Sequence, residues 1–311
     1  RVGDTIGFIC PAYKGDMKSE RIPKMENLIS DLGFKIKYGQ SCYETLGYLA
    51  GSDEIRAKDI EAMFLDQDVK AIICLKGGYG ASRIVDKINY DVIKNNPKLF
   101  IGFSDITVLL NSIYQQTGLP CIHGVVGIYL GHPNFDEFSL EDFKSLLAED
   151  SKGRVLKNPA DDAITINKGI VKGEIVGGNL CLINNLIGTP YDIDFTNKIV
   201  FIEEVEEEPY RIDRMLCQLR LLGKLDKAKG IIFGQFTDCV DKDNPDYQTY
   251  DDIINEYCQG LEMPIIKNFN AGHNFPFINL PIGLEVELDA NKKEIKILEE
   301  LYLKWKKLKD L

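Results

Sequence analysis

Ser104 has the residue type and the position of a catalytic nucleophile. It follows the apolar run Leu99-Phe-Ile-Gly-Phe, and the residues after it have the pattern of a helix. A serine at such a strand-to-helix turn presents its hydroxyl group above the sheet, and the N–H of the next residue, Asp105, can bind an oxyanion. Ser104 can alternatively be a simple helix cap, because serine is a preferred N-cap residue and the closing glycine of the G-x-S-x-G motif is missing.

A serine nucleophile needs a base, which at neutral pH is usually a histidine. The chain has three histidines. His132 lies in a Gly-His-Pro segment that is typical of a surface loop. His123 ends a short apolar strand in the same half of the chain as Ser104, and His273 lies in a loop rich in turn-forming residues. Periodicity does not choose between His123 and His273.

The third member of a serine triad is a carboxylate that fixes the tautomer of the histidine. Glu203 follows the apolar run Ile199-Val-Phe-Ile, where an unpaired carboxylate is costly, and Glu204 comes next. The acidic residues 206–208 read as a solvated loop before Pro209. Glu203 is therefore the better candidate, although the pattern leaves Glu204 open.

Two double-glycine segments follow predicted strands. The first, Gly77-Gly78-Tyr79-Gly80, lacks the GK[ST] ending of a phosphate-binding P-loop and the phasing of a dinucleotide fingerprint. Its glycines can expose an N–H to a ligand or oxyanion, or they can form a plain tight turn. The second, Gly177-Gly178, precedes Asn179, which can cap the next helix or face a cleft.

Arg211 lies in the segment Pro209-Tyr-Arg-Ile-Asp-Arg at the start of a predicted helix. Acidic residues precede Arg211, so the first interpretation is that it forms salt bridges. The alternative is that it contacts the substrate.

The first half of the chain alternates strand and helix patterns, which predicts a parallel sheet covered on both faces. The second half is more mixed. We expect an α/β fold with an N-terminal Rossmann- or flavodoxin-like domain over 1–130, a linker over 131–163, and a smaller mixed β/α domain over 164–311. Strands are predicted at 5–10, 34–38, 69–75, 99–103, 172–176, 198–203, 230–233, 283–288 and 293–298, and helices at 23–32, 53–66, 81–86, 105–116 and 212–222.

The composition excludes several classes of protein. A formal charge of −11 disfavours binding to nucleic acid or to an anionic membrane surface, and the basic stretch 304–309 reads as a solvated helix face. No apolar run is long enough for a transmembrane helix, and no secretory signal is recognisable. The eight cysteines form no C-x-x-C pair, so a zinc ribbon or a dithiol redox site has no support, and no cofactor is expected. A cytoplasmic location is expected, and the sequence leaves open whether a segment was removed before Arg1.

An ordered set of segments resembles the LD-carboxypeptidase (muramoyltetrapeptide carboxypeptidase) family of serine peptidases. The matching pieces span residues 6 to 283, and no single piece is specific, whereas their order is. They are the first predicted strand, Gly77-Gly-Tyr-Gly, Ile101-Gly-Phe-Ser-Asp, His123-Gly, Gly177-Gly-Asn-Leu with Gly188-Thr-Pro, Phe201-Ile-Glu-Glu, Pro209-Tyr-Arg-Ile-Asp-Arg, Gly272-His and Pro281-Ile-Gly.

The resemblance implies a Ser-His-Glu triad, with Ser104 as nucleophile, His273 as base and Glu203 as the orienting acid. It also implies an oxyanion hole from the N–H groups of Asp105 and Gly78. The implied activity is removal of the terminal D-alanine from murein tetrapeptides in peptidoglycan recycling, without a metal, at a site between two domains of a homodimer. Candidate substrate contacts are Tyr79, Asn179 and Arg211.

Two departures from the family pattern bear on substrate contacts. Lys76 stands where the family often has arginine, and Ala12 follows Pro11 where a serine is common.

Two other functions remain open at this point. One keeps the triad but cleaves acyl-adenylate analogues, as in the related microcin C immunity peptidases; the chain's single tryptophan, Trp305, gives little support for an adenine-stacking pocket. The other is a nonenzymatic peptide-binding module.

Overall fold

The computed structural model describes residues 1–147, 151–244, 247–301 and 304. The predicted basic stretch 304–309, apart from Lys304, and the tryptophan at 305 lie outside these residues. The strands are β1 (Thr5–Ile9), β2 (Lys35–Tyr38), β3 (Val69–Cys74), β4 (Leu99–Gly102), β5 (Cys121–His123), β6 (Val155–Leu156), β7 (Ile164–Asn167), β8 (Ile170–Asn179), β9 (Ile199–Val205), β10 (Gly230–Thr237), β11 (Ile265–Lys267), β12 (Leu280–Ile282), β13 (Glu285–Asp289) and β14 (Glu294–Ile297).

Helices cover the sheet and lie between the strands in sequence. They are α1 (Arg21–Asp31), α2 (Asp53–Leu65), α3 (Tyr90–Asn95), α4 (Thr107–Thr117), α5 (Gly127–Leu130), α6 (Glu137–Leu147), α7 (Leu180–Leu186), α8 (Pro209–Leu221) and α9 (Tyr250–Tyr257). Short 3-10 turns add Gln40–Cys42, Ala81–Arg83, Ser104–Ile106 and Leu225–Lys227. Within the described residues no helix is both long and apolar enough to span a bilayer.

The strands form one sheet that runs through both halves of the chain, in the order β2-β1-β3-β4-β5-β12-β8-β9-β10-β11-β7. Strands β1 to β5 pair in parallel, as do β8 to β11, which confirms the predicted α/β class. Strand β12 joins the halves by pairing antiparallel with β5 and bridging β8 through Ile282 and Ile175. The β13–β14 hairpin packs on β8, and β6 pairs with β14.

The sheet strands are apolar because helices bury them on both faces. In β3 and β4 the residues Ile72, Ile73, Phe100 and Ile101 are fully buried, and the equivalent run in β9, residues 199–202, is fully buried too. Burying one such side chain contributes about 1.5–3 kcal/mol. The candidate site residues extend from the ends of these strands, and the buried runs keep those ends in fixed positions.

Several predicted elements differ from the observed ones, and two of these differences lie next to Ser104 and the first double-glycine loop. The helix predicted over 81–86 is only the 3-10 turn Ala81–Arg83, because Gly80 has a φ of +131° and the N–H of Ala81 donates to the side chain of Asp105. The helix predicted from Asp105 begins with the 3-10 turn Ser104–Ile106 and becomes α-helical at Thr107.

Candidate active site

Ser104 occupies a strained turn directly after β4. Its φ is +64°, in the left-handed region that few residues other than glycine adopt. No side chain caps the 3-10 turn or α4, so Ser104 does not act as the helix cap that its residue type allowed. A non-glycine residue held in this conformation between a buried strand and a helix has the backbone geometry of a nucleophile elbow.

The first double-glycine loop lies against Ser104. A Cβ atom built on Gly77 would come within 3.1 Å of the Ser104 Cβ and 3.4 Å of its Oγ. Gly78 is exposed and has a φ of +105°, and a Cβ there would lie 2.5 Å from the Cβ of Tyr13. Glycine is therefore required at Gly78, a side chain at Gly77 would crowd Ser104, and the loop backbone borders the serine hydroxyl.

Asp105 ties the serine turn to this loop. Its buried carboxylate accepts a hydrogen bond of 2.8 Å from the N–H of Ala81. Burial raises the pKa of Asp105 to about 6, and the hydrogen bond from Ala81 and the charge of Arg56 oppose that rise. The guanidinium of Arg56 is itself buried and donates to the carbonyls of Pro11 and Gly80, each at 2.8 Å. These contacts fix the two backbone segments relative to each other.

His273 and Glu203 form a buried pair. The Nδ1 atom of His273 lies 2.7 Å from Oε2 of Glu203, and the two side chains are 9% and 0% exposed. Burial lowers the pKa of His273, but the charge and the hydrogen bond of Glu203 outweigh it, so the pKa lies above its ordinary value. An Nδ1–H that donates to Glu203 leaves Nε2 as the free basic atom of the ring.

The ring of Phe103 packs between His273 and the serine turn. The ring of Phe103, the residue before Ser104, lies 4.8 Å from the His273 imidazole, centroid to centroid. Tyr129 packs edge-on against Phe103 at 4.9 Å, and its hydroxyl donates to the carbonyl of His273 at 3.4 Å. The imidazole that pairs with Glu203 is therefore packed against the residue that precedes Ser104.

His123 also contacts the ring of Phe103, but its burial and hydrogen bonding differ from those of His273. It is fully buried, neither ring nitrogen has a hydrogen-bond partner, and the rings of Phe103, Phe201 and Phe277 surround it. Burial, together with nearby His273, lowers its pKa to about 3. A neutral imidazole closed off in this way is a packing residue. His132 is a loop residue whose Nδ1 accepts from the N–H of Asn134.

Glu204 points away from His273, as the alternation of side chains along a strand requires. Its carboxylate accepts from Asn179 Nδ2 at 2.6 Å, from the N–H of Cys181 at 2.8 Å and from its neighbour Val205 at 2.9 Å. Burial, with the nearby charge of Glu203, raises its pKa to about 7. Asn179 also caps α7 by accepting from Leu182, so its side chain is engaged on both ends.

The other candidate substrate contacts lie on the surface. Tyr79 is 48% exposed and packs against Tyr48 at 5.6 Å. Arg211 is exposed in the first turn of α8 and pairs with Glu207 and Glu208 at 3.6 and 3.5 Å. In the described part of the chain, no cluster of histidine, cysteine or acidic side chains is arranged to hold a metal ion.

Family models match both halves of this chain. The LD-carboxypeptidase N-terminal domain matches residues 6–124, and the LD-carboxypeptidase C-terminal domain matches residues 172–288. The chain belongs to the LD-carboxypeptidase family, whose activity is hydrolytic.

Individual relatives agree with this assignment. A probable murein peptide carboxypeptidase of Bacillus subtilis is 36% identical over 293 residues, covering 94% of this chain and 90% of the relative. The microcin C7 self-immunity protein MccF in complex with aspartyl sulfamoyl adenosine has a TM-score of 0.89 at 26% identity, with 97% of each chain covered. The muramoyltetrapeptide carboxypeptidase of Oxalobacter formigenes shares the fold, with a TM-score of 0.83 at 24% identity and coverage of 95% and 99%.

Proposed function

We propose that this protein is a serine LD-carboxypeptidase that releases the terminal D-alanine from murein tetrapeptides. The observation that carries the proposal is the buried His273–Glu203 pair, which is packed through Phe103 against the strained turn of Ser104. The 36% identity to a probable murein peptide carboxypeptidase supports the substrate class. We further propose a cytoplasmic homodimer acting in cell-wall recycling, with domains over 1–130 and 164–311 joined by a linker.

In the proposed reaction, Ser104 Oγ attacks the carbonyl carbon of the L,D-peptide bond while Nε2 of His273 takes the hydroxyl proton. Glu203 stabilises the imidazolium that results. The N–H groups of Asp105 and Gly78 hold the oxyanion of the tetrahedral intermediate. Collapse of that intermediate breaks the C–N bond, and His273 gives its proton to the departing amine of D-alanine.

The acyl-enzyme is then hydrolysed by the same groups in reverse roles. His273 removes a proton from water, the hydroxide adds to the ester carbonyl, and the oxyanion again binds to the two N–H groups. Collapse breaks the bond to Ser104, whose oxygen takes the proton back from His273. The products are a tripeptide with a new carboxylate and free D-alanine, so atoms and protons balance without a cofactor.

A second candidate is hydrolysis of acyl-adenylate analogues, which the likeness to MccF favours. The two exposed rings of Tyr48 and Tyr79 beside the glycine loop offer a stacking surface for a base. A nonenzymatic peptide-binding module is the third candidate, and it would bind the tetrapeptide without converting it.

Mass spectrometry distinguishes the three candidates. Incubation with a murein tetrapeptide, L-Ala-D-Glu-diaminopimelate-D-Ala or its lysine form, is expected to yield the tripeptide and D-alanine. An aminoacyl sulfamoyl adenosine, incubated in parallel at equal concentration, is expected to be cleaved much more slowly. Faster cleavage of the adenosine compound, or binding of the peptide with no product, would contradict the proposed function.

A further inference from the structure

A lysine without a carboxylate partner lies beside the candidate oxyanion loop. Lys76 directly precedes Gly77, and its side chain is half-buried. Its ammonium lies over the ring of Tyr13, 4.8 Å from the centroid. Among the described residues, no acidic side chain lies within ion-pair distance of this ammonium. The charge is instead held in place by an aromatic face, which orients a cation but does not neutralise it.

The position of this ammonium is tied to Ser104 by backbone contacts. The N–H of Tyr13 donates to the carbonyl of Gly77 at 3.3 Å, and the Tyr13 Cβ packs directly on Gly78. Gly77 in turn abuts the Cβ and Oγ of Ser104. Lys76, the Tyr13 ring and the two glycines therefore form one patch that borders the nucleophile through the glycine loop, whereas His273 approaches it through Phe103.

Two arginines of this region are already paired with acidic side chains. Arg56 is buried and pairs with Asp53, and its Nη1 donates hydrogen bonds to two backbone carbonyls. Arg211 pairs with Glu207 and Glu208. The protein carries a formal charge of −11, so a substrate carboxylate that approaches the site needs a local cation to offset the surrounding negative charge.

We infer that Lys76 binds the terminal carboxylate of the substrate and so makes the enzyme an exopeptidase. This inference rests on the proposed function. In a peptide whose last residue leaves, the free carboxylate is separated from the scissile carbonyl by only the amide nitrogen and one Cα atom. The carboxylate must therefore bind within a few ångströms of the oxyanion loop, where the Lys76 ammonium can donate two N–H groups while its other side rests on Tyr13.

The test compares a tetrapeptide ending in a free D-alanine acid with the same peptide ending in D-alaninamide. Wild type is expected to prefer the acid. Lys76→Met keeps the length of the side chain but removes the charge, and it is expected to lower kcat/KM for the acid about 10- to 100-fold while changing kcat/KM for the amide less than about threefold. Lys76→Arg is expected to restore most of the preference, because its guanidinium also binds a carboxylate.

Two further variants complete the design. Lys70→Met makes the same chemical change at an exposed position on β3, the strand that precedes the loop of Lys76, and it is expected to leave the cleavage of both substrates unaffected. Arg211→Met tests the competing cation. Unchanged acid preference in Lys76→Met, an equal loss on acid and amide, or loss of the preference in Arg211→Met would overturn the inference. Absence of D-alanine release by wild type would instead reject the proposed function.

Discussion

The acid and the base of the candidate site depend on each other at the level of single residues. Glu203 is fully buried, its Oε2 contacts Nδ1 of His273, and its Oε1 has no hydrogen-bond partner. A buried carboxylate in this state is costly unless the paired imidazole carries or acquires positive charge. The pair is thus arranged to stabilise an imidazolium, which the proposed reaction forms when His273 accepts the proton of Ser104.

This pairing makes a prediction about pH. Because Glu203 raises the pKa of His273 and the base acts in its neutral form, kcat/KM should rise with pH along a limb that lies above about 6.5, the ordinary histidine value. Glu203→Gln removes the charge that opposes the effect of burial, so the limb should move to lower pH while kcat falls about 10²- to 10⁴-fold. The measurement is a pH–rate profile of both proteins.

Glu208→Gln is the matched control, since Glu208 is a partly exposed acid at the end of the same acidic run. It should keep the wild-type profile. A limb that stays at the same pH in Glu203→Gln would contradict the pairing.

Sequence alone found these residues only in part. The apolar run before Glu203 and the turn at Ser104 could be recognised in the sequence, because a buried strand followed by polar residues is a local pattern. The sequence could not decide between Glu203 and Glu204, since that choice depends on which face of β9 each side chain occupies. The aromatic packing of Phe103, Tyr129 and Phe277 around the two histidines was missed, because it joins residues far apart in the chain.

At the scale of elements, the glycine loop and the serine turn behave as one unit. Asp105 binds the loop at Ala81, Arg56 binds it at Gly80, and Gly77 abuts Ser104. The sequence predicted that both segments follow strands, but it predicted a longer helix after Gly80. It could not reveal that the side chain of Asp105 takes the N–H that such a helix start presents.

The loop therefore tolerates no side chain at its second glycine. Gly78→Ala combines a left-handed backbone with a Cβ 2.5 Å from that of Tyr13, so the loop should shift away from Ser104. We expect kcat to fall about 10²-fold, as when one oxyanion donor is lost, and stability to fall by about 1–3 kcal/mol. Steady-state kinetics with thermal unfolding measures both.

Gly223→Ala provides the control for backbone strain alone. Gly223 has a φ of +63° with no atom within 4 Å of a built Cβ. This variant should lose about 1 kcal/mol of stability and no activity. Equal kcat for Gly78→Ala and wild type would show that the position of this loop is unimportant for turnover.

At the scale of the whole molecule, the site is assembled from residues of both halves of the chain. Ser104 follows β4 in the first half, whereas Glu203 lies on β9 and His273 follows β11 in the second. The halves are joined through β12, and the buried side chain of Asn279 just before it accepts from Val125 and donates to Asp142. The α/β class was predictable from local patterns, but β11 and β12 were not, since they are short and depend on pairing with distant strands. Helix α9 was missed although Thr249 and Asp252 form a capping box at its start, which is a local signal.

The central claim is that Ser104 and His273 act together as nucleophile and base. The most direct measurement is the rate of D-alanine release from a murein tetrapeptide by Ser104→Ala, His273→Ala and the double variant, with folding checked by circular dichroism. Each single variant should lose at least about 10³-fold in kcat, and the double variant should lose little more, because the two residues serve one step. Near-wild-type turnover in either single variant, or losses that multiply in the double variant, would contradict the account.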